Sequence, residues 1–296
     1  MTRSPNLLLI GAPRCASTSL ADALSRHPDI FLPHRKETHF LAMHGRTETL
    51  AGIGRESFES STITDPGEWQ ALFAGRRERW CLDASVSTMS YPETAIGNIT
   101  EFCDRDTLFL VILRNPVDRA YSSFQYCASR GWTRSSFEDA LAAEEARRKD
   151  GWQHLWHLRH LGRYEERLAP FIQAFGQKRL HIVLTEDLER APDVVMNGIW
   201  EFLNIPACDV VPSRANDSGM PRGRTVARIS YALNRNRALK STLKAAVPTG
   251  ILRTVRMAGL RRTRMDTSIR ERLVAEFRPT RVAIEQRLGR ALLDWR

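Results

Sequence analysis

The stretch Asn6-Leu-Leu-Leu-Ile-Gly-Ala-Pro-Arg-Cys-Ala-Ser-Thr-Ser-Leu20 decides the fold. Leu7 to Ile10 is a short apolar run that stops at glycine and proline, which is typical of a buried parallel strand ending in a turn. The hydroxyl-rich run that follows predicts a helix whose first turn is capped by its own side chains. Backbone N–H groups and the positive end of a helix dipole then converge beside Arg14, so this stretch predicts an anion cradle suited to phosphate.

Two interpretations of this cradle stay open from the segment alone. A kinase-type phosphate loop has Gly and Lys just before its Ser or Thr, whereas Ala16 and Ser17 occupy those positions here. The segment is therefore not a Walker loop. An ordinary first strand-helix unit of an α/β sheet would show the same pattern.

The composition is that of an ordinary soluble globular protein. The chain has 296 residues, of which 42% are hydrophobic and 26% charged, so we expect one α/β domain over residues 1–296. No secretory signal pattern and no apolar run of membrane-spanning length is present, which favours the cytoplasm. The cysteines form no close pair, which argues against a zinc site and a disulfide framework: Cys15, Cys81, Cys103, Cys127 and Cys208.

The net charge of +10 is concentrated in one region, which we call the basic segment (residues 218–265). It contains many arginines and no acidic residue, and apolar residues recur in it at helical spacing, which predicts helices. Either the apolar stripe packs on the core and the cations are solvated, or the segment attracts an anionic partner. That partner would be an anionic acceptor, an acidic carrier protein or an anionic membrane surface.

Two further segments carry polar side chains that could face the same edge of the sheet. Residues 34–41 (HRKETHFL) place Lys36, Glu37 and His39 in a turn, and an extended backbone would point Glu37 and His39 to one side. A candidate strand at residues 80–83 leads into a hydroxyl-rich loop that contains Ser85 and Ser87. Both segments are equally compatible with plain surface turns.

A second strand shows the same pattern as the first: an apolar run, a cation near its carboxyl end and a helix after it. Residues 107–113 (TLFLVIL) form the clearest buried strand, which ends at Arg114, and a helix begins at Pro116. This helix is expected to present Arg119, Ser122 and Ser123 to the same edge. Two strand ends that each deliver a cation and hydroxyl groups favour a binding site at the carboxyl edge of the sheet.

These motifs resemble those of sulfotransferases that use 3'-phosphoadenosine 5'-phosphosulfate (PAPS), the group that includes heparan sulfate sulfotransferases and many bacterial members. GAPRCASTSL resembles the family's 5'-phosphosulfate loop, and LRNPVDRAYSSF is close to its 3'-phosphate motif. PHRKETHFL and LDASVSTMSYP resemble its base and substrate segments, and PRGR resembles a basic turn that closes over the nucleotide. In order and spacing the resemblance covers nearly the whole chain.

The sequence departs from the family pattern at several positions. Arg14 stands where most members have Lys, and a less flexible Cys-Ala-Ser run replaces a glycine-rich one. Asp83-Ala84 stands where the glycan enzymes have Glu-Lys. The paired cysteines of the Golgi enzymes' carboxyl region have no counterpart.

The resemblance implies a single α/β domain with a central, mainly parallel sheet, helices on both faces and a P-loop-like strand-loop-helix phosphate site. It implies transfer of a sulfuryl group from PAPS to an acceptor hydroxyl, leaving adenosine 3',5'-bisphosphate, without a metal. Glu37 would be the general base, His39 would orient it or share its task, and Arg14 would stabilise the leaving group. The nucleotide would be bound by Arg14, Cys15, Ala16, Ser17, Thr18, Ser19, Arg114, Ser122, Arg222, Gly223 and Arg224. The acceptor would be bound by Lys36, Glu37, His39, Ser85 and Ser87.

Two rival classes of protein would explain parts of the same sequence. A nucleotide-dependent small-molecule kinase should show a Gly-Lys-Ser/Thr loop and a magnesium carboxylate, and neither is found in the sequence. A nucleic-acid binder would explain the basic segment but not the Arg114 motif, and aromatic residues are not interleaved with its cations. The acceptor stays open: a carbohydrate, a lipid, a phenol or another natural product.

Overall fold

The computed structural model describes residues 4–210, 212, 220–221, 260–261 and 264–296. Their main feature is a five-stranded parallel sheet in the order β2-β3-β1-β4-β5. Its strands are β1 (Leu7–Gly11), β2 (Ile30–Phe31), β3 (Trp80–Asp83), β4 (Leu108–Leu113) and β5 (Leu180–Leu184). The prediction of an α/β fold around a parallel sheet is therefore confirmed. Two short strands, β6 (Met220–Pro221) and β7 (Leu260–Arg261), form a separate antiparallel pair.

Helices connect the strands of the sheet and also follow its last strand. Those in the described residues are α1 (Ser17–Leu24), α2 (Phe40–Met43), α3 (Arg55–Glu59), α4 (Pro66–Ala71), α5 (Pro92–Phe102), α6 (Pro116–Ser129), α7 (Phe137–Ala142), α8 (Glu144–Lys149), α9 (Tyr164–Phe175), α10 (Thr185–Arg190), α11 (Pro192–Leu203), α12 (Thr267–Glu276) and α13 (Arg278–Leu288). None of the helices in these residues is both long and apolar enough to cross a membrane. That residues 1–296 form a single domain stays a prediction.

The strand that carries the first motif lies in the middle of the sheet. β1 pairs with β3 on one side and β4 on the other, and all five of its residues are buried. Side chains on both faces of such a strand meet protein, which explains why the run from Leu7 to Ile10 is continuously apolar. The carboxyl ends of β1, β3 and β4 therefore open on one edge of the sheet.

The amphipathic pattern of residues 154–175 predicts one continuous helix, but only its second half forms a regular helix. Short 3-10 turns occupy His154–Trp156 and His160–Gly162, and the regular helix α9 begins only at Tyr164. Side chains of α6 bind the backbone carbonyls of this region, since Ser123 donates to the Leu155 oxygen at 2.8 Å. Carbonyls that accept bonds from another element cannot all serve an α-helical ladder, so tertiary contacts override the local pattern here.

A smaller hydrophobic cluster lies apart from the main core, and we call it the tryptophan cluster: Cys127, Trp132, Trp152 and Trp156. The backbone of residues 50–54 rests on it. The Trp156 indole donates to the Ile53 oxygen at 2.9 Å, and Ala51 forms an isolated parallel bridge with Trp152. This loop leads directly into α3, so the cluster fixes where α3 begins.

Gly52 and Gly54 let this loop approach the indole rings. Both have left-handed backbones, with φ of 85° and 91°. A Cβ at Gly52 would lie 2.3 Å from Trp152, and one at Gly54 would lie 2.7 Å from Trp132. Contacts this short are sterically forbidden, so only glycine fits at either position without moving a tryptophan.

We expect Gly52→Ala to lower the free energy of unfolding by about 1–3 kcal/mol more than Gly75→Ala, because overpacking adds to the cost of a left-handed alanine. Gly75 is the matched control, since its φ is 72° and no atom lies within 4 Å of its virtual Cβ. Chemical denaturation of both variants measures the difference. Equal losses would show that the loop does not press on Trp152.

Candidate active site

The loop after β1 has the geometry of an anion cradle. Arg14 and Ala16 have left-handed backbones, with φ of 71° and 63°. Ala16 is the N-cap of α1, and no side chain caps this helix. The prediction that the hydroxyls of Ser17 to Ser19 cap it is therefore wrong. Because the N-cap residue Ala16 supplies no side-chain hydrogen bond, the N-terminus of α1 is suited to an anion.

Buried hydrogen bonds attach this loop to the neighbouring strands. The Ala12 N–H donates to the Ile112 oxygen of β4 at 2.7 Å. The Thr185 hydroxyl, which follows β5, lies 3.0 Å from the Cys15 oxygen and 2.9 Å from the Leu113 oxygen. The loop is thereby held at a fixed position relative to the ends of β4 and β5. Sequence reasoning missed Thr185, although a hydroxyl residue directly after a strand was a usable signal.

The Cys15 thiol is buried and contacts only protein groups among the described residues, namely the Pro13 oxygen and the Tyr164 hydroxyl. The Cys15 side chain is fully buried, 3.9 Å from the Tyr164 hydroxyl, and burial raises the pKa of the thiol to about 12. The Tyr164 hydroxyl donates to the Arg114 oxygen at 2.7 Å. Tyr164 thus contacts the residues that follow both β1 and β4, and it is a second supporting residue that the sequence did not reveal.

Arg14 extends from the loop to helix α6. Its guanidinium carbon lies 4.6 Å from the centre of the Tyr126 ring. Burial is the main cause that lowers the pKa of Arg14 from its ordinary value. The cation is therefore partly removed from water at the place where the sequence predicted a phosphate-binding charge.

Arg114 and Ser122 form the second predicted anion site. Within the described part of the chain, the Arg114 side chain has no hydrogen bond or ion pair, and the buried Ser122 hydroxyl has no hydrogen-bond partner. Asn115 between them serves the fold, since its side chain caps α6 at Val117 N, 3.0 Å away. A half-buried guanidinium that forms no ion pair among the described residues, followed by a spare hydroxyl, fits a phosphate group.

Arg119 does not belong to this site, contrary to the expectation that α6 presents it to the sheet edge. Its side chain is completely buried and donates to the backbone oxygens of His157 and Leu158. The amphipathic pattern of α6 located the residue on the inward face, where the guanidinium supports the irregular segment before α9. Ser123 is engaged with the same segment, as described above.

Lys36 connects the cradle to Glu37. Its ammonium group donates to the Thr18 hydroxyl of α1 at 3.3 Å and lies 3.2 Å from Glu37 Oε1. Glu37 Oε2 accepts a hydrogen bond from Val86 N at 3.0 Å. The Glu37 side chain is 29% exposed, so its carboxylate is both held in place and accessible to a substrate.

Glu37 and His39 are close, but not for the reason that the sequence suggested. Their backbones are left-handed, with φ of 57° and 55°, rather than extended. Glu37 Oε2 and His39 Nδ1 are 4.0 Å apart, and the same ring nitrogen lies 2.8 Å from the Ser87 hydroxyl. The His39 ring also stacks on Phe58 of α3 at 4.2 Å between centroids. Burial lowers the pKa of His39 to about 4, so this imidazole is neutral at neutral pH.

Asp83 is the centre of a buried network behind Glu37. Its carboxylate accepts hydrogen bonds from the Thr38 hydroxyl at 3.0 Å and from the Trp69 indole at 2.9 Å. The Ser85 hydroxyl lies 3.2 Å from that of Thr38. Ser85 and Ser87 are both buried and contact protein groups, so their role in binding an acceptor stays a prediction.

Other predicted positions fall outside the described residues. Arg222, Gly223 and Arg224 lie there, as does nearly all of the basic segment. In the described part of the chain, no group of three or more His, Cys, Asp and Glu side chains could hold a metal ion.

Comparison with known proteins identifies the family. A family model described as "Sulfotransferase family" matches residues 5–209. This chain belongs to the sulfotransferase family. The match spans both strand-end motifs, Glu37 and His39, so the resemblance drawn from those motifs is confirmed at the level of the family.

The chain is similar to much longer animal proteins. It is 22% identical to human carbohydrate sulfotransferase 15 over 247 residues, which are 68% of this chain and 44% of that protein. It is 24% identical to the Caenorhabditis elegans bifunctional heparan sulfate N-deacetylase/N-sulfotransferase 1 over 209 residues, which are 68% of this chain and 22% of that protein. The matched region thus spans less than half the length of these relatives.

Solved structures show the same fold. A sulfotransferase from Alicyclobacillus acidocaldarius superimposes with a TM-score of 0.76 at 29% identity, covering 98% of both chains. The sulfotransferase domain from the curacin biosynthetic pathway superimposes with a TM-score of 0.51 at 18% identity, covering 76% of this chain and 82% of that domain. The five-stranded sheet is therefore the sheet of a sulfotransferase fold.

The buried histidines predict a loss of stability in acid. Burial lowers the pKa of His39 and of His157 to about 4, whereas an unfolded histidine has a pKa of about 6.5. The unfolded chain therefore binds more protons between these values, so the free energy of unfolding should fall as the pH falls from about 6.5 to about 4. Denaturation of the wild type and of His157→Gln across this range isolates one contribution. The variant should lose less stability on acidification, and parallel curves would contradict the assignment.

Proposed function

We propose that this protein transfers a sulfuryl group from PAPS to an acceptor hydroxyl and releases adenosine 3',5'-bisphosphate. The observation that carries the proposal is the Lys36 bridge, because it places an accessible carboxylate beside a helix N-terminus that is open to an anion. PAPS supplies the activated sulfuryl group. Membership of the family and the separate Arg114 site support this assignment.

The 5' end of the nucleotide is assigned to the loop after β1. The N–H groups of residues 15–19 and the Arg14 guanidinium stabilise negative charge on the leaving phosphate and on the sulfuryl oxygens. This is an electrostatic role of the oxyanion-hole kind, in which donors are held in place before the charge develops. The hydrogen bonds from Thr185 and Ala12 supply that rigidity.

The 3'-phosphate is assigned to Arg114 and Ser122. Arg114 follows β4, adjacent to β1 in the sheet, so the two ends of one nucleotide would lie across neighbouring strand ends. Arg222 and Arg224, with Gly223 between them, belong to the sequence that resembles the family's nucleotide-closing turn, and we propose that they assist in binding the 3'-phosphate. A cation and a hydroxyl without other described partners support this assignment.

Glu37 is proposed as the general base. Its carboxylate takes the proton of the acceptor hydroxyl while the acceptor oxygen bonds to sulfur and the bond from sulfur to the phosphate oxygen breaks. Lys36 and Val86 N hold its two oxygens. His39 is the weaker candidate, because burial lowers its pKa to about 4 and thereby makes it a poor proton acceptor. We assign His39 to orienting Glu37.

A carbohydrate hydroxyl is the first acceptor class to test. The names of two relatives refer to carbohydrate and to heparan sulfate, but those proteins are more than twice as long as the matched region. Lipids, phenols and other natural products remain in the test set. Incubation with labelled PAPS and fractionated extract of the host separates these classes by the fraction that becomes labelled. Capture of an anionic acceptor, carrier protein or membrane by the basic segment stays a prediction, as does a cytoplasmic location.

The nucleotide itself can be tested by thermal stabilisation. We expect adenosine 3',5'-bisphosphate to raise the melting temperature clearly, and AMP, which lacks the 3'-phosphate, to raise it little, because two cationic sites are proposed. Arg114→Ala should remove most of that difference. Differential scanning fluorimetry at one fixed salt concentration measures it.

The same melting experiment also tests the alternative of a nucleotide-dependent kinase. Stabilisation by ATP with magnesium, and none by adenosine 3',5'-bisphosphate, would contradict the proposed donor. The family match already disfavours a kinase.

The roles of Glu37 and His39 separate in a second experiment. Glu37→Gln keeps an acceptor for Val86 N but removes the base, so turnover should fall about 10²-fold or more while bisphosphate affinity is kept. His39→Asn retains a polar group near Ser87 and should cost less. Initial rates with labelled PAPS and the labelled acceptor fraction measure both variants. If His39→Asn were inactive and Glu37→Gln stayed active, His39 rather than Glu37 would be the general base.

A further inference from the structure

The contact between Arg14 and Tyr126 joins the two halves of the nucleotide site. Arg14 belongs to the loop after β1, whereas Tyr126 lies on α6, the helix that also carries Ser122. The guanidinium carbon is 4.6 Å from the ring centre. A second guanidinium, that of Arg130, lies 4.7 Å from the same ring. The half-buried ring therefore serves as a contact surface for cations.

The shape of a guanidinium explains what such a contact does. Its flat face can rest on a ring while its N–H groups, which lie in the guanidinium plane, stay directed outward at an anion. Burial lowers the pKa of Arg14, so this cation is partly removed from water where it meets the ring.

Tyr126 is itself held by its surroundings. It belongs to the edge of the tryptophan cluster, and its ring meets Trp132 edge-on at 5.8 Å. α6 begins at the rigid Asn115 cap directly after Arg114. One helix thus carries the hydroxyl assigned to the 3'-phosphate and the ring beneath the cation assigned to the 5' end.

We propose that Tyr126 is a positioning residue that orients the Arg14 guanidinium toward the 5' end of the nucleotide, and that this contact makes arginine the functional residue at position 14. The proposal rests on the proposed function, because it takes the loop after β1 as the 5'-phosphate site. A lysine ammonium has no flat face, so it would gain little orientation from the ring. The arginine that departs from the usual lysine is thereby linked to a second residue 112 positions further along the chain.

Ligands that lack one phosphate test this role without requiring the acceptor. Adenosine 3',5'-bisphosphate contacts both proposed sites, and adenosine 3'-monophosphate contacts only the Arg114 site. We expect Tyr126→Leu to lower the affinity for the bisphosphate about tenfold and the affinity for the 3'-monophosphate less than about twofold, as measured by calorimetric titration. Tyr126→Phe keeps the ring face and should stay within about twofold of the wild type for both ligands.

A double-variant cycle tests the link to arginine. Arg14→Lys alone should lower the affinity for the bisphosphate about tenfold. Adding Tyr126→Leu to this variant should lower the affinity by less than about another twofold, because the ring has then already lost its partner. Tyr121→Leu is the matched control, since it removes a tyrosine from the same helix that packs on Phe124 and Phe137. It should lower stability without changing either affinity.

Three results would overturn the positioning role. These are multiplicative losses in the double variant, equal weakening of both ligands by Tyr126→Leu, or a Tyr126→Phe defect as large as that of Tyr126→Leu. Failure of the proposed function looks different, because the wild-type protein itself would then bind neither ligand, and the positioning role would fall with it.

Discussion

The site depends on one buried hydroxyl that ties three strand ends together. Thr185 follows β5 and lies within hydrogen-bond distance of the Cys15 oxygen in the loop after β1 and of the Leu113 oxygen at the end of β4. Tyr164 adds a bond to the Arg114 oxygen from the other side. Parallel strands alone fix the direction in which loops leave a sheet, but not how the loops sit relative to each other. These bonds supply that second constraint, so the two cationic positions keep one separation.

Behind Glu37, a network of buried polar groups holds the turn that carries the Glu37 carboxylate. Burial raises the pKa of Asp83, and the Thr38 hydroxyl and the Trp69 indole both donate to its Oδ2 atom. Buried hydrogen bonds make a network rigid, because losing a partner leaves a polar group without water. The turn that presents Glu37 and His39 in left-handed conformations is therefore imposed by the protein around it.

Much of the fold was predictable from local patterns. The apolar runs of β1 and β4, the breaks at Pro13 and Pro116 and the cation after each strand all lie where the sequence suggested. The failures share one cause. The orientation of Arg119 and the start of α9 depend on contacts with distant segments, and a periodic pattern reports which face is apolar but not which distant group binds it.

The sequence by itself determined the strand-loop-helix units and the chemical types delivered to their ends, because strand burial and helix initiation are encoded within a few neighbouring residues. Only the tertiary structure decided which of those groups meet. Lys36 reaches Thr18, Thr185 reaches Cys15, and Arg14 rests on Tyr126. Each contact joins residues that are far apart in the chain, and its geometry is set by sheet order and helix packing, which no local pattern encodes.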